Sequence, residues 1–400
     1  MDRVARLLDS PRSVLRKHIS DRLVATHGAA GEPLTWLASQ PIMERADIVD
    51  PAAELCLARR FRRLEEKRTS GSTGVPVRIC KSMDMAAQID ATMWGLYRWH
   101  GIEPGMRHAR FWGLSAGGLG RFTRRLADSL LQRRRLSAFE FLRSTVIREF
   151  HELRRFRPHY LHAYPSLVHQ FASICSEERL DGRDLGIRVA FLTGELLRPD
   201  VRAQIESFFG ARVVNEYGCS ESGLLAFECE RGTMHTAPSA TYVEVNGANG
   251  PVTPHLGGIL VTDLFGTHKP LLRYRLRDLV SIDDIDCECG RALPRATVSA
   301  GREDAFIITP SGDRLHDGFI ARSMPPQVKR FRARQTHLDR IVVEVELRGG
   351  ADPTTTIRDV AQGLETFLHK AIRVDVEVVL ALEPDPNGKL RYFIPLVDGG

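Results

Sequence analysis

The stretch Arg68-Thr69-Ser70-Gly71-Ser72-Thr73-Gly74-Val75-Pro76 decides how the rest of the chain is read. Four hydroxyls and two glycines fall within six residues, 69–74. Glycine lets backbone N–H groups approach a ligand closely, and the hydroxyls add further donors, so the loop suits phosphate oxygens. No Gly-Lys-Ser/Thr follows and no long helical pattern opens there, which excludes a Walker loop. Taken alone, the stretch reads equally as a phosphate cradle or as a solvated turn.

The 400 residues are too many for one compact core and imply two or three domains. With 43% hydrophobic and 26% charged residues, the composition is that of a globular protein. The net charge of +6 owes much to the arginine-rich stretch 121–135, where Phe122, Leu126, Leu130 and Leu131 are interleaved with the arginines. That interleaving predicts an amphipathic helix with a solvated basic face, so no nucleic-acid partner is expected. No uninterrupted apolar run reaches the ~18 residues of a membrane span. The opening 22 residues are charged and lack the apolar centre of a signal peptide, which leads to an expectation of cytoplasmic residence without a membrane partner. Seven cysteines, an odd number in a long chain, do not read as a disulfide framework.

Residues 1–66 look mainly helical, with Pro33 and Pro41 as breaks. Short apolar strands are predicted at 108–112, 160–163, 189–193 and 212–216, with a helix over 199–209 between the last two. Strand–helix–strand order of this kind belongs to a parallel α/β sheet. The pattern turns β-rich at 241–245, 258–264, 271–274 and 279–282. A boundary near Gly301-Arg302-Glu303-Asp304 divides a large domain, 1–303, from a small α+β domain, 304–400. The small domain carries strands at 306–309, 341–347 and 374–379, a helix over 355–370, and the turn Pro386-Asn387-Gly388-Lys389.

Further motifs follow the opening loop in order: Tyr164-Pro165-Ser166, Leu192-Thr193-Gly194-Glu195, Asn215-Glu216-Tyr217-Gly218-Cys219-Ser220-Glu221, Arg273-Tyr274-Arg275-Leu276-Arg277-Asp278, Gly301-Arg302-Glu303-Asp304 and Gly388-Lys389. This ordered set resembles the adenylate-forming superfamily, and within it the branch of phenylacetate–CoA ligase and its capsule-biosynthesis relatives. The resemblance runs from about residue 65 to 395. It implies an α/β fold: a large N-terminal adenylate-forming domain of layered αβ sheets plus a β-rich subdomain, with a small mobile α+β C-terminal domain.

The resemblance also implies roles for residues. Thr69, Ser70, Gly71, Ser72, Thr73 and Gly74 match the clamp on the β- and γ-phosphates of ATP. Gly194 and Glu195 match the adenine-side loop, and Glu216, Tyr217 and Gly218 the nucleotide turn, with Tyr217 on adenine. Ser220 matches the α-phosphate contact and Glu221 the carboxylate that holds Mg²⁺, an ion that takes few carboxylates plus phosphate oxygens. Asp278 matches the ribose-binding aspartate, whose two oxygens suit two vicinal hydroxyls. The family has Thr-Gly before that aspartate, whereas Leu276-Arg277 stand here. Arg302 matches a nucleotide-contacting arginine, Asp304 the hinge, and Lys389 the catalytic lysine of the small domain.

Cys229, His235, Cys287 and Cys289 form two clusters around the β-rich segment. Cys3His is a closed tetrahedral zinc set. The Cys-x-Cys spacing is tighter than the usual pair, and the same residues read alternatively as separate free cysteines. Similar cysteines in the branch that the chain resembles favour a structural Zn²⁺.

Trp112, Gly113, Ser115, Tyr164, Ser166 and Cys219 are the expected lining of an acyl pocket, one suited to an aryl or short acyl acid. The expected activity is an ATP-dependent acid–thiol ligase: a carboxylic acid is activated as acyl-AMP, pyrophosphate leaves, and the acyl group passes to a thiol, with CoA as acceptor. Transfer to an amine or a carrier protein is the first alternative, and a non-catalytic nucleotide-binding scaffold the second. A monomer or homodimer is expected.

Overall fold

The computed structural model describes residues 1–48, 64–68, 78–112, 127–137, 143–246, 253–266, 269–302, 306–310, 314–316, 320, 323–368, 372–383 and 390–396. Two compact units emerge: Met1–Leu276 with Val280–Thr297, and Arg277–Leu279 with Val298–Gly400.

The first unit is organised by parallel strands. Val189–Thr193 reads Val-Ala-Phe-Leu-Thr, a continuous apolar run that suits a strand buried on both faces. Pro199 then opens the helix Pro199–Phe209, where the missing N–H of proline costs nothing, and Gly210 closes it in the left-handed region at φ 62°. The chain returns as Arg212–Cys219, parallel to Val189–Thr193, with Val189 opposite Arg212 and Thr193 opposite Glu216. Tyr160–Ala163 pairs parallel on the other side of Val189–Thr193, followed by His108–Trp112 and then Arg133–Ser137.

One face of these strands is apolar. Ala109, Phe111, Leu161, Ala163, Ala190, Leu192 and Val213 pack beneath helices Arg143–Phe156, Pro165–Glu177 and Pro199–Phe209. Phe171 is fully buried there, with ring centroids 5.1 Å from Phe111 and 6.2 Å from Phe209.

Beyond Arg212–Cys219 the sheet changes character. Gly223–Glu228 pairs antiparallel with it and Met234–Thr236 antiparallel with Gly223–Glu228, and the sheet continues through Arg295–Arg302, Tyr274–Asp283, Thr253–Asp263 and Thr241–Val245. The described strands thus make one eleven-stranded sheet that is parallel at one end and antiparallel at the other. The N-terminal helices Asp2–Leu8, Arg12–His27 and Pro33–Ser39 lie against it. Val4, Leu8 and Leu15 share a core with Leu96 and Tyr97, while Ile19 and Leu23 pack with Leu37, Tyr242 and Leu264.

Two expectations change. Residues 271–273 are not a strand, because Arg273 takes a left-handed φ of 49° and the Leu271 N–H turns inward to the carboxylate of Asp263 at 3.0 Å. The strand begins instead at Tyr274. The basic stretch does not continue as helix to 135. Gln132, at φ 49°, ends a short helical turn at 127–130, and Arg133, Arg134 and Arg135 enter a parallel edge strand. Residues 121–126 lie outside the described residues.

In the second unit, strands run in the order Arg373–Val378, Arg340–Leu347, Val328–His337 and Phe393–Ile394. Asp352 caps the helix Pro353–Phe367 by accepting the Thr355 N–H at 2.9 Å. That helix buries Val360 and Leu364 against Phe331, Val343 and Val345.

Phe171→Ala should cost the first unit about 3–5 kcal/mol, the range for a buried Phe leaving a cavity. Urea unfolding monitored by tryptophan fluorescence checks this; a loss under about 1 kcal/mol would contradict the packing described.

Candidate functional site

Two of the sequence motifs lie side by side at the carboxyl ends of adjacent parallel strands. Val189–Thr193 runs into Gly194 and Glu195, and Arg212–Cys219 runs into Ser220 and Glu221. Here the sheet switches from parallel to antiparallel pairing. In open α/β sheets the region outside the carboxyl ends of the parallel strands is where ligands bind.

The motifs are held by their own side chains. Gly194 takes φ 79°, a left-handed turn open to glycine, which brings Glu195 back over the next strand connection. The Glu195 carboxylate accepts the Ser166 N–H at 2.9 Å on one oxygen and the Ser166 hydroxyl at 2.9 Å on the other. Tyr164-Pro165-Ser166 and Gly194-Glu195 are therefore one structure. Gly218 is also required by close approach, since a Cβ there would meet the Gly223 carbonyl oxygen at 2.4 Å across the hairpin.

Strand alternation sorts residues 216–221. Glu216 points into the protein, 4% exposed, and its carboxylate meets His162 Nε2 at 3.1 Å. Tyr217 sits on the opposite face of the strand, half-buried. The Cys219 thiol accepts the Ser222 N–H at 3.3 Å, and burial pushes it well above the ordinary thiol range, so it stays protonated and inert. Ser220 is exposed, and Glu221 is half-buried with its carboxyl pushed up by burial. Trp112 packs on Tyr164 at 4.4 Å and on His162 at 5.3 Å between centroids, so the aromatic members of the expected acyl wall do meet.

Asp278 lies on Tyr274–Asp283, in the segment that groups with the second unit. Arg277 before it adopts φ 65°, so the backbone keeps a glycine-like conformation although the residue is arginine. Arg302 ends the strand Arg295–Arg302. Thr69 to Gly74, Gly113, Ser115, Asp304 and Lys389 lie outside the described residues. Residues 69–77 lie between Leu64–Arg68 and Arg78–Ser82, which pair antiparallel with Arg68 opposite Arg78.

A buried ion pair that the motifs did not announce stands behind the turn. Lys81, on Arg78–Ser82, meets Asp263 at 2.5 Å, and the two side chains are 5% and 1% exposed. Asp263 also accepts the Ser222 hydroxyl at 3.0 Å and the Leu271 N–H at 3.0 Å, and its carbonyl bonds His27 Nε2 at 2.7 Å. The only hint in the sequence is a charged residue ending the apolar run Ile259-Leu260-Val261-Thr262-Asp263.

The four metal-ligand candidates converge. Cys229, His235, Cys287 and Cys289 offer ligand atoms that all lie within 4.8 Å of one another. Cys229 Sγ is 3.9 Å from Cys287 Sγ, and Cys289 Sγ is 3.4 Å from His235 Nε2. Tetrahedral ligands at Zn–S and Zn–N bond lengths of about 2.3 and 2.0 Å stand roughly 3.5–3.8 Å apart, so the cage has zinc dimensions. His235 Nδ1 bonds the Leu293 carbonyl at 3.0 Å, which holds the ring with Nε2 toward the thiols. Burial raises the Cys287 thiol, but hydrogen bonds, the Thr233 hydroxyl first among them, bring it down to about 6, toward the thiolate a metal needs. The alternative of separate cysteines does not describe this cluster.

No protein-family model matches the chain. It is 22% identical over 251 residues to Protein CapK of Staphylococcus aureus, covering 61% of this chain and 54% of that protein. It is 27% identical over 167 residues to the phenylacetate–coenzyme A ligase of Pseudomonas putida, covering 39% and 36%. The chain thus spans about half or less of these curated relatives. Among solved structures, 2-hydroxyisobutyryl-CoA ligase, in the postadenylation state with 2-HIB-AMP, matches with a TM-score of 0.75 at 19% identity, over 98% of this chain and 91% of that one. The fold is that of the adenylate-forming ligases. The curated relatives, CapK and a phenylacetate–CoA ligase, are what the chain is similar to in sequence. Among the described residues, no helix is long and apolar enough to cross a membrane.

Lys81→Met should destabilise the first unit by about 3–5 kcal/mol, because it leaves Asp263 buried without its cation. Thermal unfolding measures it; a variant within about 1 kcal/mol of the parent would remove the pair from any structural role.

Proposed function

We propose that the protein is an ATP-dependent acid–thiol ligase. A carboxylate oxygen of the substrate attacks the α-phosphorus of ATP, the bond from that phosphorus to the pyrophosphate oxygen breaks, and acyl-AMP forms. The thiol of CoA then takes the acyl group and AMP leaves. The observation that carries this reading is the bonding of Ser166 to Glu195, next to the Tyr217–Glu221 motif, at the carboxyl ends of adjacent parallel strands. The names of the relatives, two CoA ligases, supply the acceptor.

Each residue has a physical task in that reading. Adenylation depends on positioning and on stabilising charge that builds on phosphate oxygens. Residues 69–74 clamp the β- and γ-phosphates, Tyr217 stacks on adenine, and Ser220 bonds the α-phosphate. Asp278 holds the ribose and Arg302 contacts the nucleotide, while Asp304 is the hinge. Glu221 would hold Mg²⁺, which neutralises the triphosphate when bound. A carboxyl raised by burial gains an ordinary, ionised state when such a cation arrives. Lys389 meets the attacking carboxylate and the α-phosphate. The Cys229, His235, Cys287 and Cys289 cage is a structural zinc site that pins the Arg295–Arg302 and Met234–Thr236 strands together.

ATP–pyrophosphate exchange across a panel of carboxylic acids tests the activity. At least one acid should support exchange, and Lys389→Ala should lower it by 10²-fold or more with the fold intact. ATP binding without exchange for every acid would leave only a nucleotide-binding scaffold. Exchange with acyl transfer to amines but not to CoA would reassign the acceptor.

For the cage, protein purified without chelator should hold about one equivalent of zinc, and Cys287→Ser should lose most of it. Less than about a tenth of an equivalent in the parent protein would refute the metal site.

A further inference from the structure

The polar face of the parallel strands carries an arginine that meets no carboxylate among the described residues. Arg110 lies on His108–Trp112, directly between Arg135 and His162 on the neighbouring strands. Its guanidinium carbon stands 4.5 Å from the centroid of the Trp112 ring, two residues nearer the carboxyl end of the strand. The guanidinium is therefore drawn toward the end of the sheet where Glu195 and the Tyr217–Glu221 turn project. Arg110 Nε is buried and makes no hydrogen bond.

The acidic groups of this face are already engaged. Asp128 takes both Arg133 and Arg135, at 2.8 Å each. Glu216 takes His162 at 3.1 Å on one of its oxygens. Among the described residues, no carboxylate or carbonyl accepts from Arg110. Burial, then the neighbouring guanidinium of Arg133, pushes Arg110 below the usual arginine range, so its charge is held at a cost. A half-buried cation that meets an aromatic ring and no anion persists where a function uses it. A guanidinium fork is matched by the two oxygens of a carboxylate. The aromatic floor formed by Trp112 and Tyr164 adds apolar contact beside that charge.

We propose that Arg110 is a specificity residue that binds a second, distal carboxylate on the acid substrate, so that the ligase selects dicarboxylic acids over monocarboxylic ones. The proposal rests on the ligase reading for its reaction but not for its binding site. One carboxylate goes to the α-phosphorus; the other pairs with Arg110 and fixes the acid in line.

Two measurements test it together. The first is ATP–pyrophosphate exchange with malonate, succinate and glutarate against propionate, butyrate and valerate. The parent enzyme should favour a dicarboxylate over its monocarboxylate partner by about 100-fold or more in kcat/KM, as expected where a site's polar group is otherwise left unpaired. Arg110→Leu should lose most of that preference, through a raised KM for the dicarboxylate rather than a lowered kcat. Arg110→Lys should recover part of it. The second is the shift in melting temperature with the same six acids in the absence of ATP. Dicarboxylates should raise the melting temperature of the parent, while monocarboxylates should not, and Arg110→Leu and Arg110→Gln should abolish the effect. Dicarboxylate-specific, Arg110-dependent shifts without any exchange would uphold the anion site and overturn the ligase reading. Exchange that prefers monocarboxylates, or a preference unchanged in Arg110→Leu, would overturn the Arg110 proposal and keep the ligase. No Arg110-dependent shift with any of the three dicarboxylates would also overturn it.

Discussion

The carboxylate of Asp263 is the tie on which the site depends. Its two oxygens take the Lys81 ammonium, the Ser222 hydroxyl and the Leu271 N–H, and its carbonyl takes His27. Those four partners come from four separate parts of the chain: the strand Arg78–Ser82, the turn after Arg212–Cys219, an irregular connection in the β-rich region, and an N-terminal helix. An ion pair 5% and 1% exposed is not a strong source of net stability, since desolvation offsets much of the attraction. Its value lies in geometry. A buried carboxylate tolerates few arrangements of its donors, so the elements that supply them hold one register.

The same logic explains why Glu195 and Ser166 matter. A carboxylate bonded by both the N–H and the hydroxyl of one residue fixes the angle between two strand connections. The sheet beneath is rigid and apolar on one face, where Phe111, Phe171 and Phe209 pack, and the polar groups are gathered on the other. This division lets a close-packed core carry charged residues such as Arg110 and Glu216 without losing its packing. The cost is concentrated where strands end, which is where ligands meet α/β sheets.

A second cluster, of different chemistry, lies in the antiparallel part of the sheet. The Cys229, His235, Cys287 and Cys289 cage links a hairpin to a loop more than 50 residues later in the chain, beside the strand pair of His235 and Arg295. There the sheet is narrow, since the Met234–Thr236 strand is only three residues long. Few backbone hydrogen bonds span that strand, and ligand bonds would supply what the short ladder cannot.

Local chemistry was enough to identify much of this protein. Strands 108–112, 160–163 and 189–193 and the helix 199–209 follow from apolar runs, from Pro199 at a helix start and from Gly210 at its end. The order of motifs was legible because each is a short contiguous string whose residue types suit phosphate, adenine or ribose. The sequence could not show that Arg133 to Arg135 leave the helical pattern for an edge strand, or that residues 271–273 bend inward, since both depend on left-handed residues and on acceptors far along the chain. The partners of Lys81 and the isolation of Arg110 were equally invisible, because pairing is a property of neighbours in space. Lys81 and Asp263 stand 182 residues apart, and among the described residues Arg110 meets no carboxylate, while Asp128 pairs with Arg133 and Arg135 and Glu216 with His162. Residue type and spacing thus determined the class of chemistry, while burial and three-dimensional proximity alone decided which charges are neutralised and which are left for a ligand.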